Sequence, residues 1–236
     1  MSSKLVATKG LQAGYGRKQV VFDVDLTVGS GEIVALLGHN GAGKTTTLKT
    51  IFGMLPALGG RVTYQGEDAT HAGCRRNVTR GMAMIPAERF VFADLTVREN
   101  LLLGANHERS ATVRDTRHAQ VATLFPILAE RAGQRAGTMS GGQQRMLSLG
   151  IALMSGPQLL LLDEPSLGLA PALVTTLFDA IAGLAKSQGL GVLLLEQNVG
   201  QVLRIADRVA VMRSGRVILE ESAAQMRARE SYWDLF

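Results

Sequence analysis

Residues 38–46 read GHNGAGKTT, which fits the spacing G-x-x-x-x-G-K-[ST]. Glycines at those intervals let backbone N–H groups turn inward around phosphate oxygens, and the helix that should follow adds positive potential at its N-terminus. Gly38, His39, Asn40, Gly41, Ala42 and Gly43 would form the cradle. Lys44 would reach the terminal phosphates, Thr45 would offer its hydroxyl to Mg²⁺, and Thr46 would complete the loop. LLLLDEPS, residues 159–166, places two carboxylates at the end of an apolar run, where desolvating them is costly unless a cation or other partners are present. Asp163 would hold Mg²⁺ through water and Glu164 would polarise an attacking water. Taken without the phosphate loop, the same pair would read as solvated loop acids.

A third stretch, TMSGGQQRMLSLGIALM from Thr138, sets Ser140 three residues before Gln143, the spacing of a capping box, and continues with helical apolar spacing. Gly141 and Gly142 expose N–H groups at the positive end of that helix, and a glycine inside a helix costs about 1 kcal/mol. A second anion site is redundant for a chain that already cradles phosphate. It is therefore expected to serve a nucleotide held by another chain, in a face-to-face dimer. Finally, VLLLEQN (192–198) ends an apolar run in Glu196, Gln197 and Asn198. Open parallel sheets bind ligands beyond the carboxyl ends of their strands, so this is either a site or a strand end meeting water.

The elements that would carry these residues can be read from periodicity. Leu5 to Val28 alternates as short β-hairpin strands with GYGRKQ as a turn, IVALLG (33–38) is a buried strand, and TTLKTIFGML after Lys44 has helical spacing. RVTYQ (61–65) and GMAMIPAE (81–88, stopped by Pro86) read as strands. From about Leu95 to Leu153 the signals turn helical through TVRENLLLG, RDTRHAQVATLFPIL and GGQQRMLSLGIALM, an inserted helical subdomain. LLLL (159–162), VLLL (192–195) and VAVM (209–212) are near-continuous apolar strands, which indicate a parallel sheet covered on both faces. SGRVILE would be a last strand, followed by a short helix.

With 236 residues, 46% of them apolar, the chain can bury a large core. No apolar run approaches the roughly 18 residues of a membrane span, and MSSKLVATKG lacks a secretory signal's apolar region. A cytosolic protein able to dock on a membrane is expected. The single Cys74 excludes an internal disulfide and reads as structural. The net charge of +5 comes from scattered basic residues, so no nucleic-acid partner is expected, and Arg75, Arg76 and Arg80 read as a solvated helix face.

GHNGAGKTT, MSGGQQR and LLLLDEPSLGLAP, in that order and spacing, resemble the nucleotide-binding subunit of an ABC transporter, over nearly the whole chain. The resemblance implies an α/β fold of the P-loop NTPase class: a RecA-like parallel sheet core with an N-terminal antiparallel β subdomain (residues 1–87 and 154–236) and an inserted helical subdomain (88–153). It implies ATP and Mg²⁺ as ligands, Tyr15 stacking on adenine, Ser140, Gly141, Gly142 and Gln143 acting on a partner's ATP, and Ser166 to Leu169 linking two active sites. Gln197 falls where most such ATPases carry a histidine that contacts the γ-phosphate. An amide there can donate a hydrogen bond but cannot shuttle a proton near neutral pH. SLGLAP and EQN are similar to the smaller ATPase subunit of branched-chain amino-acid importers, the LivF type, with relatives serving urea, amides or other amino acids. The partners so implied are a second, paralogous ATPase, two membrane permeases and, indirectly, an external substrate-binding protein, with this chain peripheral on the cytoplasmic face of the membrane.

One departure stands out. MIPAERFVF (84–92) has Ala87 where the family places Gln or Glu directly after the proline, with Glu88 beside it. Either Glu88 takes over as a Mg²⁺ or water ligand through a one-residue shift, or that ligand is missing. Phe90, Val91 and Phe92 resemble the segment that receives a permease helix, though they could equally be core. Trp233 and Phe236 in the tail read as core cover. A soluble ABC ATPase would need a coiled-coil insertion or a tandem second ATPase, which this chain lacks, and a small-molecule kinase would lack SGGQ.

Overall fold

The computed structural model describes residues 4–88, 91–229 and 231. In chain order its strands are β1 (Lys4–Tyr15), β2 (Lys18–Gly29), β3 (Ile33–Leu37), β4 (Ala57–Tyr64), β5 (Glu67–Asp68), β6 (Met82–Ile85), β7 (Leu159–Asp163), β8 (Gly191–Glu196), β9 (Arg208–Arg213) and β10 (Arg216–Ser222). Its helices are α1 (Lys44–Phe52), α2 (Cys74–Thr79), α3 (Val97–Gly104), α4 (Ala111–Leu124), α5 (Pro126–Glu130), α6 (Gly141–Met154), α7 (Pro171–Gln188), α8 (Val199–Val202) and α9 (Ala223–Arg227).

Two sheets form. The first, ordered β2-β1-β4-β5, is antiparallel. The second is ordered β10-β9-β3-β8-β7-β6, parallel except for its β10 edge. Period-2 alternation explains why both faces of the parallel sheet are covered. Ile33, Ala35, Leu37, Leu160, Leu162, Val192, Leu194, Val209 and Val211 point into one core with α3, α6 and α7. Val34, Leu36, Leu159, Leu161, Leu193, Leu195, Ala210 and Met212 point into another with α1 and the first sheet. The apolar runs are therefore buried strands of a two-faced sheet, in an α/β fold.

The register positions the site. Leu37 pairs with Glu196, and Asp163 pairs with Leu195. The residues following β3, β7 and β8 thus emerge side by side at the carboxyl end of the sheet, the end where such sheets bind ligands.

Several expectations change in detail. The N-terminal hairpin strands are not short: β1 and β2 have 12 residues each. The run 114–128 is not one helix, because Phe125 sits at φ −134° and ψ 76° before Pro126 opens α5. A residue before proline is pushed out of the helical region by the ring Cδ. Arg80 does not belong to a solvated face: its guanidinium lies 5.1 Å from the Tyr64 ring centre and donates to the Tyr64 carbonyl oxygen at 2.7 Å. Helices α3 to α6 pack closely where Gly150 admits Leu101, Val121 and Leu128, whose atoms lie 2.9–3.2 Å from where a Cβ would sit. Trp233, Phe236 and Phe90 lie outside the described residues.

Candidate nucleotide site

Gly38 to Gly43 form the turn between β3 and α1, and its three glycines all have positive φ, Gly41 at 81°. Gly38 has φ 153°, and a Cβ there would sit 2.3 Å from the Met212 carbonyl oxygen. Gly43 has φ 106° and opens α1 with no side-chain cap and no acidic residue in the first turn, which leaves the helix N-terminus available to an anion. Lys44 folds back over the turn and donates from Nζ to the Gly38 and His39 carbonyl oxygens at 2.6 and 3.1 Å. The lysine is 5% exposed; burial lowers its pKa, and the carboxylates of Glu164, Asp163 and Glu196 oppose that shift. Thr46 is buried in the first turn of α1.

Thr45 Oγ1 donates to Asp163 Oδ1 at 3.0 Å. Asp163 is 4% exposed, and burial raises its pKa against the opposing effects of the Thr45 hydrogen bond and of Lys49 and Lys44. A hydroxyl and a carboxylate together offer hard oxygen ligands beside a phosphate-shaped turn. That donor set suits Mg²⁺, which prefers one or two protein oxygens completed by phosphate and water. Among the described residues no group of three His, Cys, Asp or Glu side chains could hold a metal without such help.

This burial gives a stability prediction. A carboxyl whose folded pKa is raised above its ordinary 3.8 favours folding while protonated. That favourable state is lost as pH rises from the ordinary value through the raised one. Asp163→Asn keeps an acceptor for Thr45 and removes the buried charge. The nucleotide-free variant is therefore expected to melt about 2–4 °C higher than the wild type at neutral pH, for roughly 1 kcal/mol. The gain should vanish below about pH 4. Thermal denaturation across pH checks both statements.

Glu164 follows β7 at φ 47°, a left-handed conformation costly for a residue with a Cβ, and its N–H donates to the Leu195 carbonyl oxygen at 3.0 Å. The bend turns the side chain toward the loop after β8. There Gln197 Nε2 donates to Glu164 Oε1 at 2.6 Å and to Asn40 Oδ1 at 2.8 Å. One amide thus joins the phosphate turn to the acid after β7. The three polar residues of VLLLEQN have different destinations: Gln197 enters this cluster, Asn198 caps α8, and Glu196 lies buried beneath.

The structure brings Asn40, Lys44, Thr45, Asp163, Glu164 and Gln197 into one neighbourhood through these bonds. Ser140 and Gln143 make the capping box expected of them, Ser140 N–H to Gln143 Oε1 at 3.1 Å and Gln143 N–H to Ser140 Oγ at 3.4 Å. The two glycines separate. Gly142 has a packing reason, since a Cβ would meet Leu173 Cδ1 of α7 at 2.3 Å, whereas a Cβ on Gly141 would meet nothing within 4 Å. Tyr15 ends β1 and is 49% exposed. Glu88 is exposed, while the carbonyl oxygens of the two residues before it, Pro86 and Ala87, accept from Arg145 at 3.1 and 3.0 Å. Of the pair Val91 and Phe92, the first packs on the core and the second is 57% exposed. Sequence reasoning assigned no role to Arg145, 3% exposed, and named Glu196, also 3% exposed, only as part of the polar cluster ending β8. A charged residue at an apolar helical or strand position is the signal that could have singled them out.

A phosphate turn at the head of a helix, a hydroxyl and carboxylate suited to a cation, and an acid with its amide neighbour define a P-loop nucleotide hydrolase. The family model described as ABC transporter matches residues 21–167, and the chain belongs to that family as an ATP-hydrolysing member. It is 44% identical over 225 residues to the high-affinity branched-chain amino acid transport ATP-binding protein BraG of Pseudomonas aeruginosa, covering 92% of this chain and 94% of that one. It is 36% identical over 228 residues to the probable branched-chain amino acid transport ATP-binding protein LivF of Archaeoglobus fulgidus, covering 97% and 96%. Among solved structures, a nucleotide-free ATP-binding cassette from an ABC transporter superposes with a TM-score of 0.88 at 25% identity, covering 98% and 97%.

Proposed function

We propose that the chain is the ATP-hydrolysing subunit of an importer for branched-chain amino acids, peripheral on the cytoplasmic face of the membrane. No described helix is long and apolar enough to cross a bilayer, so the transported molecule would pass through separate permeases. Likeness to BraG over nearly the full length of both chains carries the substrate assignment. Replacing the gene by a Glu164→Gln version in its native cells tests it. Uptake of labelled leucine, isoleucine and valine should be lost with uptake of urea unchanged; intact uptake of all three amino acids would overturn the assignment.

In this reading ATP lies on the 38–46 turn with adenine against Tyr15. Lys44 and the amide of Gln197 contact the terminal phosphates, and Glu164 accepts a proton from the attacking water. Thr45 and Asp163 would hold Mg²⁺, with Glu88 as a candidate further ligand. The bound ion neutralises phosphate charge and orients the oxygens. Two permeases, a paralogous ATPase and an external binding protein complete the assembly. Phe92 and Leu103, both exposed, border a hollow of about 470 Å³ between the end of β6, α3 and α6, and a permease helix would seat there.

The helix cap at Ser140 to Gln143 would face the partner's nucleotide, and Gly141 separates this role from a structural one. Since nothing among the described residues crowds a Cβ there, Gly141→Ala should leave stability unchanged or raise it by up to about 1 kcal/mol. ATPase activity should fall at least about tenfold if a partner's phosphates approach that backbone. Thermal melts and ATP turnover of the dimer check the two halves; unchanged turnover would remove the cap from the active site.

A further inference from the structure

Glu196 is the last residue of β8 and is 3% exposed. Its Oε1 accepts the Ser166 N–H at 2.8 Å and its Oε2 accepts the Gln197 N–H at 3.2 Å. Ser166 begins the turn that ends at Leu169, whose Leu167 is 58% exposed, and Gln197 carries the amide bonded to Glu164 and Asn40. Burial raises the pKa of Glu196, while the hydrogen bonds from Ser166 and Gln197 lower it. The carboxylate thus takes hydrogen bonds from the Ser166 side chain and backbone and from the Gln197 backbone, which offset part of the cost of burying its charge. Burial lowers the pKa of the Arg145 guanidinium on α6, and the charges of Glu196 and then Asp163 oppose that shift. Arg145 in turn grips the Pro86 and Ala87 carbonyl oxygens at the end of β6. Lys44 and Glu164 are the other charges that act on Glu196.

We propose that Glu196 is a positioning residue whose buried carboxylate ties the exposed 166–169 turn to Gln197, so that a partner pressing on that turn sets the amide that meets Glu164. This proposal rests on the two-site dimer described above, because only a partner subunit gives the turn something to respond to.

The test uses the assembly purified with the partner ATPase and permeases, carrying either the native chain or its Glu196→Gln or Glu196→Asp variant, with ATP turnover measured against ATP concentration. Glu196→Gln keeps the size and one acceptor but places an NH₂ against one of the two N–H groups; Glu196→Asp keeps the charge and shortens the reach. Both should fold; in Glu196→Gln the lost acceptor and the relief of a buried carboxyl group act in opposite directions, so its melting temperature should stay within about 3 °C of the wild type. Turnover should fall about tenfold, with KM for ATP changing by less than about threefold. The Hill coefficient should drop from about 2 towards about 1. A purely structural role would instead lower the melting temperature and leave the Hill coefficient in place. A cooperative wild type with turnover and Hill coefficient unchanged in both variants would overturn the assignment to Glu196 and leave the dimer standing. A non-cooperative wild type would overturn the two-site reading, and this proposal with it.

Discussion

Glu164→Gln lowers steady-state ATP turnover by about 10²–10⁴-fold while ATP still binds with an affinity within about threefold of the wild type. The residue is held in a left-handed bend at φ 47° by its N–H bond to Leu195, and its Oε1 lies 2.6 Å from Gln197 Nε2. Glutamine keeps the volume and can keep that hydrogen bond through its carbonyl oxygen, so the local geometry survives. What it loses is the capacity to accept a proton from water. The immediate alternatives are poor: Gln197 carries no titratable group, and Asp163 is engaged by Thr45. Turnover by phosphate release and affinity by a fluorescent ATP analogue separate the two effects. Turnover preserved within a few-fold would place the general base elsewhere.

Lys44→Ala is expected to weaken ATP binding about 10–100-fold, the loss of one charge-assisted contact to phosphate in a partly desolvated site. The lysine is held before any ligand arrives, by carbonyl oxygens of Gly38 and His39, so little side-chain entropy remains to be lost on binding. Removing it also leaves Asp163, Glu164 and Glu196, whose charges act on it, without that cation. The electrostatic deficit should make the residual binding more dependent on divalent cation than in the wild type. Titration with the same fluorescent analogue, with and without Mg²⁺, reads both. An unchanged affinity would show that the turn binds phosphate through its N–H groups alone.

Much of this was legible in the sequence, for identifiable reasons. A phosphate turn demands glycines at set intervals, so Gly38 and Gly43 could be marked before their φ angles of 153° and 106° were known. Strands buried on both faces show as unbroken apolar runs, which is why β3, β7, β8 and β9 were found almost to the residue. What escaped was whatever depends on a distant partner. Nothing local distinguishes Gly142, shaped by Leu173 of α7, from Gly141, where a Cβ would have open space among the described residues. Arg80 resembled its exposed neighbours because the aromatic ring it covers belongs to β4. Glu196 and Arg145 read as polar ends of apolar patterns, since their targets at Ser166, Pro86 and Ala87 lie 30 or more positions away. The break at Phe125 was available in principle, because Pro126 forbids an uninterrupted helix.

The claim that this ATPase powers a membrane importer is tested most directly by affinity purification of the chain from detergent-solubilised membranes of its native cells, followed by mass spectrometry. The account predicts two different multi-span permeases and a second SGGQ-containing ATPase in stoichiometric amounts. Recovery only from the soluble fraction, alone or with nucleic acid, would contradict it and leave a nucleotide hydrolase without a transporter.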